Sequence, residues 1–304
     1  MILDGVFPPV ATPFLSGAGP VDLDALRFNA RRWMSTGLRG LVVLGSNGEA
    51  ALLDEDEADA VIGAARECVP ADRVLIAGTG RESTRATIAA TRRAAALGAD
   101  LALVRAPGFF KNAMTGEVLR RHFTAVADAS PIPILLYNFA AVFGVNLPTE
   151  TVAQLAAHSN IVGLKESGGD VAQVADQVSA TPAGFQVVVG AAPALYASLC
   201  VGAAGGVVAV ANAAPEACVR LHALTRAGRH EEALALQRAL TPLARAVTAT
   251  YGVAGLKAAM AVAGYKGGVP RGPLQPAPPA AVEHLTKLVV ALDSFLVERA
   301  VPRA

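Results

Sequence analysis

Eight short β-rich runs, each followed by an Ala- and Leu-rich stretch with helical spacing, leave this chain few folds to choose from. The runs cover 5–12, 41–45, 73–78, 101–105, 133–138, 161–165, 185–190 and 206–211. They are continuous apolar segments rather than alternating ones, the mark of parallel strands buried on both faces. Asp22, Asp54, Ser83 and Asp170, and Thr149 after Pro148, stand where helix starts are expected. Eight strand–helix units closing on themselves predict an α/β chain folded as a (β/α)8 TIM barrel. Beyond the eighth unit the β signal stops, and 229–249, 252–264 and 279–300 read as three further helices. The expected division is a barrel over 1–227 and a C-terminal three-helix extension over 228–304. The Pro-rich stretch 269–281 is expected to be a rigid connector.

Composition narrows the function classes. With 304 residues, 53% of them hydrophobic, the chain can bury one large core, and a net charge of +1 gives no electrostatic footprint for nucleic acid or an anionic membrane. Its apolar runs break before the ~18 residues of a membrane span, and "MILDGVFPPV" has no basic, signal-like start. A cytoplasmic protein is expected. Cys68, Cys200 and Cys218 lie far apart without CxxC spacing and are expected to be small buried hydrophobes rather than disulfide or zinc ligands.

In such barrels the chemistry sits at the C-terminal ends of the strands. "IVGLKESGG" puts Lys165 at the end of the sixth run, "GSNGEA" puts Ser46 and Asn47 at the second, and "LLYN" puts Tyr137 and Asn138 at the fifth. Thr12 ends the first run, and Asn212 follows the eighth. His122, His158, His222, His230 and His284 all fall in helical stretches, so histidine-based and metal-assisted mechanisms are set aside. An amine taken out of water loses part of its preference for the charged form and can attack a ketone. A phenol on the next strand can pass protons, and the backbone N–H groups of the Ser46-Asn47-Gly48 turn can hold a carboxylate. Together these make a 2-oxo-acid site.

Each feature has a plainer reading. A strand-end lysine ordinarily snorkels to solvent, and Asn-Gly is an ordinary turn. Glu49 is expected to support a helix start, and Phe109 and Phe110 to be packing residues. "GTGRES" from Gly78 lacks the third glycine of a dinucleotide loop and follows the third run rather than the first, so no such site is expected there.

The ordered series "TPF", "GSNGEAALLDEDE", "PIPILLYN", "IVGLKESGGD" and "GAAGGVVAVAN" resembles the dihydrodipicolinate synthase and N-acetylneuraminate lyase family of pyruvate-dependent class I aldolases, over essentially the whole chain. "ESTRAT", "HSNIVGLKESGGDV" and "GLKAAM" look most like its 4-hydroxy-2-oxoglutarate aldolase branch. The resemblance implies that Lys165 is the Schiff-base lysine, Tyr137 the proton-transferring phenol and Ser46 the relay hydroxyl. Ser46 and Asn47 would supply carboxylate-binding amides and Val207 a carbonyl facing the bound pyruvoyl group, with Thr12 and Ser167 in the same substrate-binding set. It implies no cofactor beyond the covalent imine, pyruvate or another 2-oxo acid as substrate, and a homodimer or homotetramer. Two positions depart from the family. Phe110 stands where a tyrosine usually crosses the subunit contact to complete the relay. Val142, in "FAAVFG", stands where the synthases hold their second substrate's carboxylate with an arginine. Phe110 and Val142 are therefore assigned to a second-substrate pocket, expected to be apolar and poor for aspartate semialdehyde. Alternatives are synthase-type condensation, a dehydratase or hydratase-aldolase on a more apolar 2-oxo acid, and a catalytically silent oxo-acid-binding barrel.

Overall fold

In the computed structural model, residues 3–15 and 19–298 are described. The eight strands are β1 (Gly5–Phe7), β2 (Gly40–Val43), β3 (Val74–Gly78), β4 (Leu101–Arg105), β5 (Ile134–Asn138), β6 (Ile161–Glu166), β7 (Gln186–Val189) and β8 (Gly205–Val207). All the strand pairings are parallel, in the order β1-β8-β7-β6-β5-β4-β3-β2. The ring closes through Pro9, which bridges Val42, and through the Val10 N–H, which donates to the Val42 carbonyl at 2.8 Å. This is the expected TIM barrel.

Helices cover the ring: α1 (Leu23–Met34), α2 (Glu55–Arg66), α3 (Thr84–Ala96), α4 (Gly116–Ala129), α5 (Ala140–Phe143), α6 (Thr149–Leu155), α7 (Val171–Ala180), α8 (Leu195–Cys200) and α9 (Pro215–Arg226). Asp22, Asp54, Ser83 and Asp170 each accept a backbone N–H of the first turn, and Asp54 and Glu57 close a reciprocal capping box. Three further helices follow, α10 (His230–Arg245), α11 (Gly252–Val262) and α12 (Pro279–Glu298). Arg299 and Ala300, read as the end of the last helix, lie outside the described residues. Leu236, Leu240, Leu243, Leu256 and Met260 of α10 and α11 share one core with Trp33, Val43 and Leu195 of the barrel units. Inside the barrel, Phe7, Val42, Ile76, Leu103, Leu135 and Val188 fill the space, and Tyr137 belongs to the same cluster.

Four sequence expectations need correction. The first strand ends at Phe7 rather than at 12, because Pro8 and Pro9 bring no N–H to the ladder. The eighth ends at Val207, where Ala209–Asn212 coils into a 3-10 turn pinned by Asn212 Nδ2 donating to the Pro9 and Ala209 carbonyls. His158 lies in the turn before β6, its Nε2 3.0 Å from Asp128 Oδ1, rather than in a helix. Of the cysteines, all free, Cys218 is buried but Cys200 is exposed. No helix among the described residues is long and apolar enough to cross a membrane.

Candidate active site

Register on the barrel wall assembles the site. Arg105 pairs with Tyr137, and Tyr137 with Lys165, so three neighbouring strands present these side chains in one row at their C-terminal ends. Lys165 is 2% exposed. Its Nζ lies 3.9 Å from the centre of the Tyr137 ring, and among the described residues no carboxylate comes within 4 Å of it.

Tyr137 is held from several sides. Phe143 meets its ring edge-on at 5.1 Å, Phe139 stacks at 6.4 Å, and its hydroxyl is 3.2 Å from Ser46 Oγ. Ser46 opens the 3-10 turn Ser46–Gly48, directly after β2. The N–H groups at the start of such a turn have no carbonyl of the turn to receive them, which leaves those of Ser46 and Asn47 free to meet an anion. Thr12, fully buried, does not turn its hydroxyl to the cavity; it donates to the Gly48 carbonyl at 2.7 Å and so fixes the turn. Val207 ends β8 within the cluster that holds Tyr137. Ser167 follows β6, and its hydroxyl is buried without a partner among the described residues. Only a glycine at 190 leaves it room, since a Cβ there would lie 2.0 Å from Ser167 Oγ. Asn138 faces away from the cavity. It donates to Asn146 Oδ1 and to Glu166 Oε2, and receives the Leu147 N–H.

A cavity of about 380 Å³ opens beside Arg105 and Tyr137 of this row, lined by Ser46, Leu103, Phe143, Val142 and Leu274 among others, while Lys165 lies behind Tyr137 and is not among the lining residues. Most of the cavity wall is apolar, but the wall is not uncharged. Arg81, from the loop after β3, and Arg105 also line it, and the argument against aspartate semialdehyde, which rested on an uncharged pocket, falls. Phe110 is not among the lining residues. It is 71% exposed and meets Phe109, 78% exposed, edge-on at 5.0 Å, so neither is a packing residue within this chain. Both arginines were open to detection in the sequence. Arg105 closes the fourth run, at the barrel end where chemistry gathers, and Arg81 sits in the glycine-flanked "GTGRES".

Glu49 does more than support a helix start. It is 4% exposed and adopts a left-handed φ of 55°. One carboxylate oxygen lies 2.5 Å from Lys257 Nζ of α11, and the other accepts the Arg271 backbone N–H at 2.8 Å. Burial pulls the Lys257 ammonium below its usual range, against the opposing pull of Glu49. The C-terminal helices thus reach the turn that carries Ser46.

Comparison with known proteins bears on the fold and the family. The model of the Dihydrodipicolinate synthetase family matches residues 2–293. A 4-hydroxy-tetrahydrodipicolinate synthase of Exiguobacterium sp. is 37% identical over 291 residues, 96% of this chain and 97% of its own. A protein of Emericella nidulans named "Probable 4-hydroxy-2-oxoglutarate aldolase, mitochondrial" is 37% identical over 241 residues, 78% of each chain. Among solved structures, a prophage protein of the dihydrodipicolinic acid synthase family from E. coli K12, in complex with pyruvate, superposes with a TM-score of 0.90 at 28% identity, covering 96% of this chain and 99% of its own. A closed eight-stranded barrel with a buried lysine, a phenol and a hydroxyl in contact across its mouth, matched over nearly its full length, belongs to the dihydrodipicolinate synthetase family and is a lyase of that family.

Proposed function

We propose that this protein is a class I lyase that forms an imine between Lys165 and pyruvate, or an adduct of pyruvate with an aldehyde, and makes or breaks the carbon–carbon bond of a 4-hydroxy-2-oxo acid. One observation carries the reading: Lys165, buried and without a carboxylate partner among the described residues, lies against Tyr137, whose hydroxyl meets Ser46. In the cleavage direction the Lys165 amine adds to the C2 carbonyl, and the carbinolamine loses water to give the imine. The 4-hydroxyl proton leaves as the C3–C4 bond breaks, releasing the aldehyde, and the electron pair of that bond rests in the enamine. Protonation at C3 and hydrolysis return pyruvate and the free amine. In this reading Tyr137 passes these protons, with Ser46 behind it, and the Ser46 and Asn47 amides receive the substrate's own carboxylate; the 3.2 Å contact between the two hydroxyls supports the relay. The names of the relatives above, an oxoglutarate aldolase and a synthase, support this chemistry and leave the aldehyde open. The proposal includes a homodimer or homotetramer, a second copy covering Phe109 and Phe110; sedimentation velocity reads its mass, and a monomer refutes that part.

Sodium borohydride added with pyruvate tests the reading, because reduction makes the transient imine permanent. Peptide mass spectrometry is expected to find the adduct on Lys165 and to lose it in Lys165→Ala. An adduct elsewhere, or none, would refute the mechanism.

A further inference from the structure

Two cations in the cavity have no part in imine chemistry. Arg105 stands two strands from Lys165, roughly 10 Å between Cα atoms by ordinary strand spacing, and both side chains are long. The Arg105 charge is matched. Its Nη2 is 2.7 Å from Glu82 Oε1, and its Nη1 donates to the Ala106 carbonyl. The Arg81 charge is not. Among the described residues no carboxylate lies within 4 Å of it, and the guanidinium's one hydrogen bond is a 3.3 Å donation to the Gly80 carbonyl. The acids on that side, Glu55 and Asp59, are engaged by Arg93 at 2.9 and 3.4 Å. Burial first, then the positive charges of Arg93 and Arg105, outweigh the more distant Glu55 and Asp59 and weaken its hold on its proton below the usual arginine range; a guanidinium nonetheless remains charged near neutral pH.

Around Arg81 the cavity wall is mostly apolar, with Leu44, Leu52, Leu103, Phe143 and Pro273, and its one carboxylate, Glu49, is taken by Lys257 and the Arg271 N–H. A half-buried guanidinium in such a wall gives up hydration with nothing in return until an anion completes it. The second carboxylate of a substrate is an anion of the right kind, because its two oxygens match the planar fork of a guanidinium.

We propose that Arg81, seconded by Arg105, receives a carboxylate at the far end of the substrate. The enzyme's substrates are then dianionic 2-oxo acids, with the 2-oxo-acid end at Lys165 and the second carboxylate at Arg81, in preference to 2-oxo acids with a neutral alkyl or polyol tail. This deepens the imine reading and rests on it for the placement of the first end.

Calorimetric titration with 2-oxoglutarate and with 2-oxopentanoate tests it, since the two differ only by a terminal carboxylate in place of a methyl group. The unmodified protein is expected to bind 2-oxoglutarate roughly 10- to 100-fold more tightly, the range of a charge-assisted hydrogen-bonded pair. Arg81→Met should remove most of that ratio and leave 2-oxopentanoate affinity unchanged, whereas Arg81→Lys, which keeps the charge without the fork, should retain an intermediate ratio. A ratio near one in the unmodified protein overturns the proposal. So does a ratio that survives Arg81→Met, or equal weakening of both ligands. Because binding is read without turnover, the two ideas separate. Pyruvate trapped on Lys165 with a ratio of one leaves the imine reading and removes Arg81. A high ratio that depends on Arg81, without trapping, does the reverse.

Discussion

Alternation along β6 turns Lys165 into the barrel and Glu166 outward, where Asn138, Gln173, Gln177 and the Gly168 N–H donate to its carboxylate. One residue of register therefore separates an amine with no carboxylate within 4 Å among the described residues from a carboxylate with four donors. Tyr137 owes its place to the same rule one strand over. In Tyr137→Phe the ring keeps its contacts with Phe139 and Phe143, and the lost bond to Ser46 is expected to lower stability by about 1 kcal/mol. Turnover should fall by roughly 10²- to 10⁴-fold; near-normal turnover in the folded variant would return Tyr137 to a packing role. His122 belongs to a different balance. Burial, helped by the charge of Arg105, lowers its pKa from 6.5 to about 4, while Nδ1 meets Thr84 Oγ1 at 2.9 Å and Nε2 is buried without a partner among the described residues. Between those values the unfolded chain binds more protons than the folded one, so stability rises with pH across the window. It is complete above about 6.5 and is lost as pH falls toward 4, by about 2–3 kcal/mol. His122→Gln should flatten this part of the profile in urea melts at pH 4.5 and 7; an unchanged slope would assign it to other groups.

At the scale of elements, what the sequence disclosed and what it hid follow one division. The strands were readable because eight apolar runs repeat with helix caps between them. Lys165, Tyr137 and Ser46 were readable because each ends such a run. Glu49, Lys257 and Arg271 were not, because residues far apart in sequence meet only once the C-terminal helices fold back on the turn after β2. Arg81 stood in plain view in a loop that looks like a failed nucleotide motif, but its meaning depends on which carboxylates Arg93 has taken. The Glu49 contact yields an expectation of its own. Lys257→Met leaves a buried carboxylate facing a methyl group, and removing one partner of such a pair costs about 3–5 kcal/mol. Urea denaturation should show that loss, and Lys257→Met combined with Glu49→Gln should recover part of it. Additive losses would mean that the two side chains do not stabilise one another.

For the molecule as a whole, the sequence suggests a barrel with a helical appendage, whereas the core runs through both. Leu236, Leu240 and Leu243 pack in the same cluster as Leu195 and Leu221, and Arg271 binds Glu57 and the Leu52 carbonyl beside the cavity. A chain ending at residue 227 would expose this apolar face and lose both cations around Glu49. It is expected to lack a cooperative unfolding transition and a near-ultraviolet circular dichroism signal; a sharp transition would show that the barrel stands alone.

The left-handed backbone at Glu49 has a consequence for heating. A non-glycine residue in that conformation carries strain, of order 1–3 kcal/mol, that its surroundings must hold in place, and here the holders are Lys257 and Arg271. The turn behaves as a latch whose catch lies at the other end of the chain. As temperature rises, loosening of α11 would release it and carry Ser46 away from Tyr137 while the strands remain paired. Catalysis should then fail several degrees before the barrel melts, and recover on cooling from that interval.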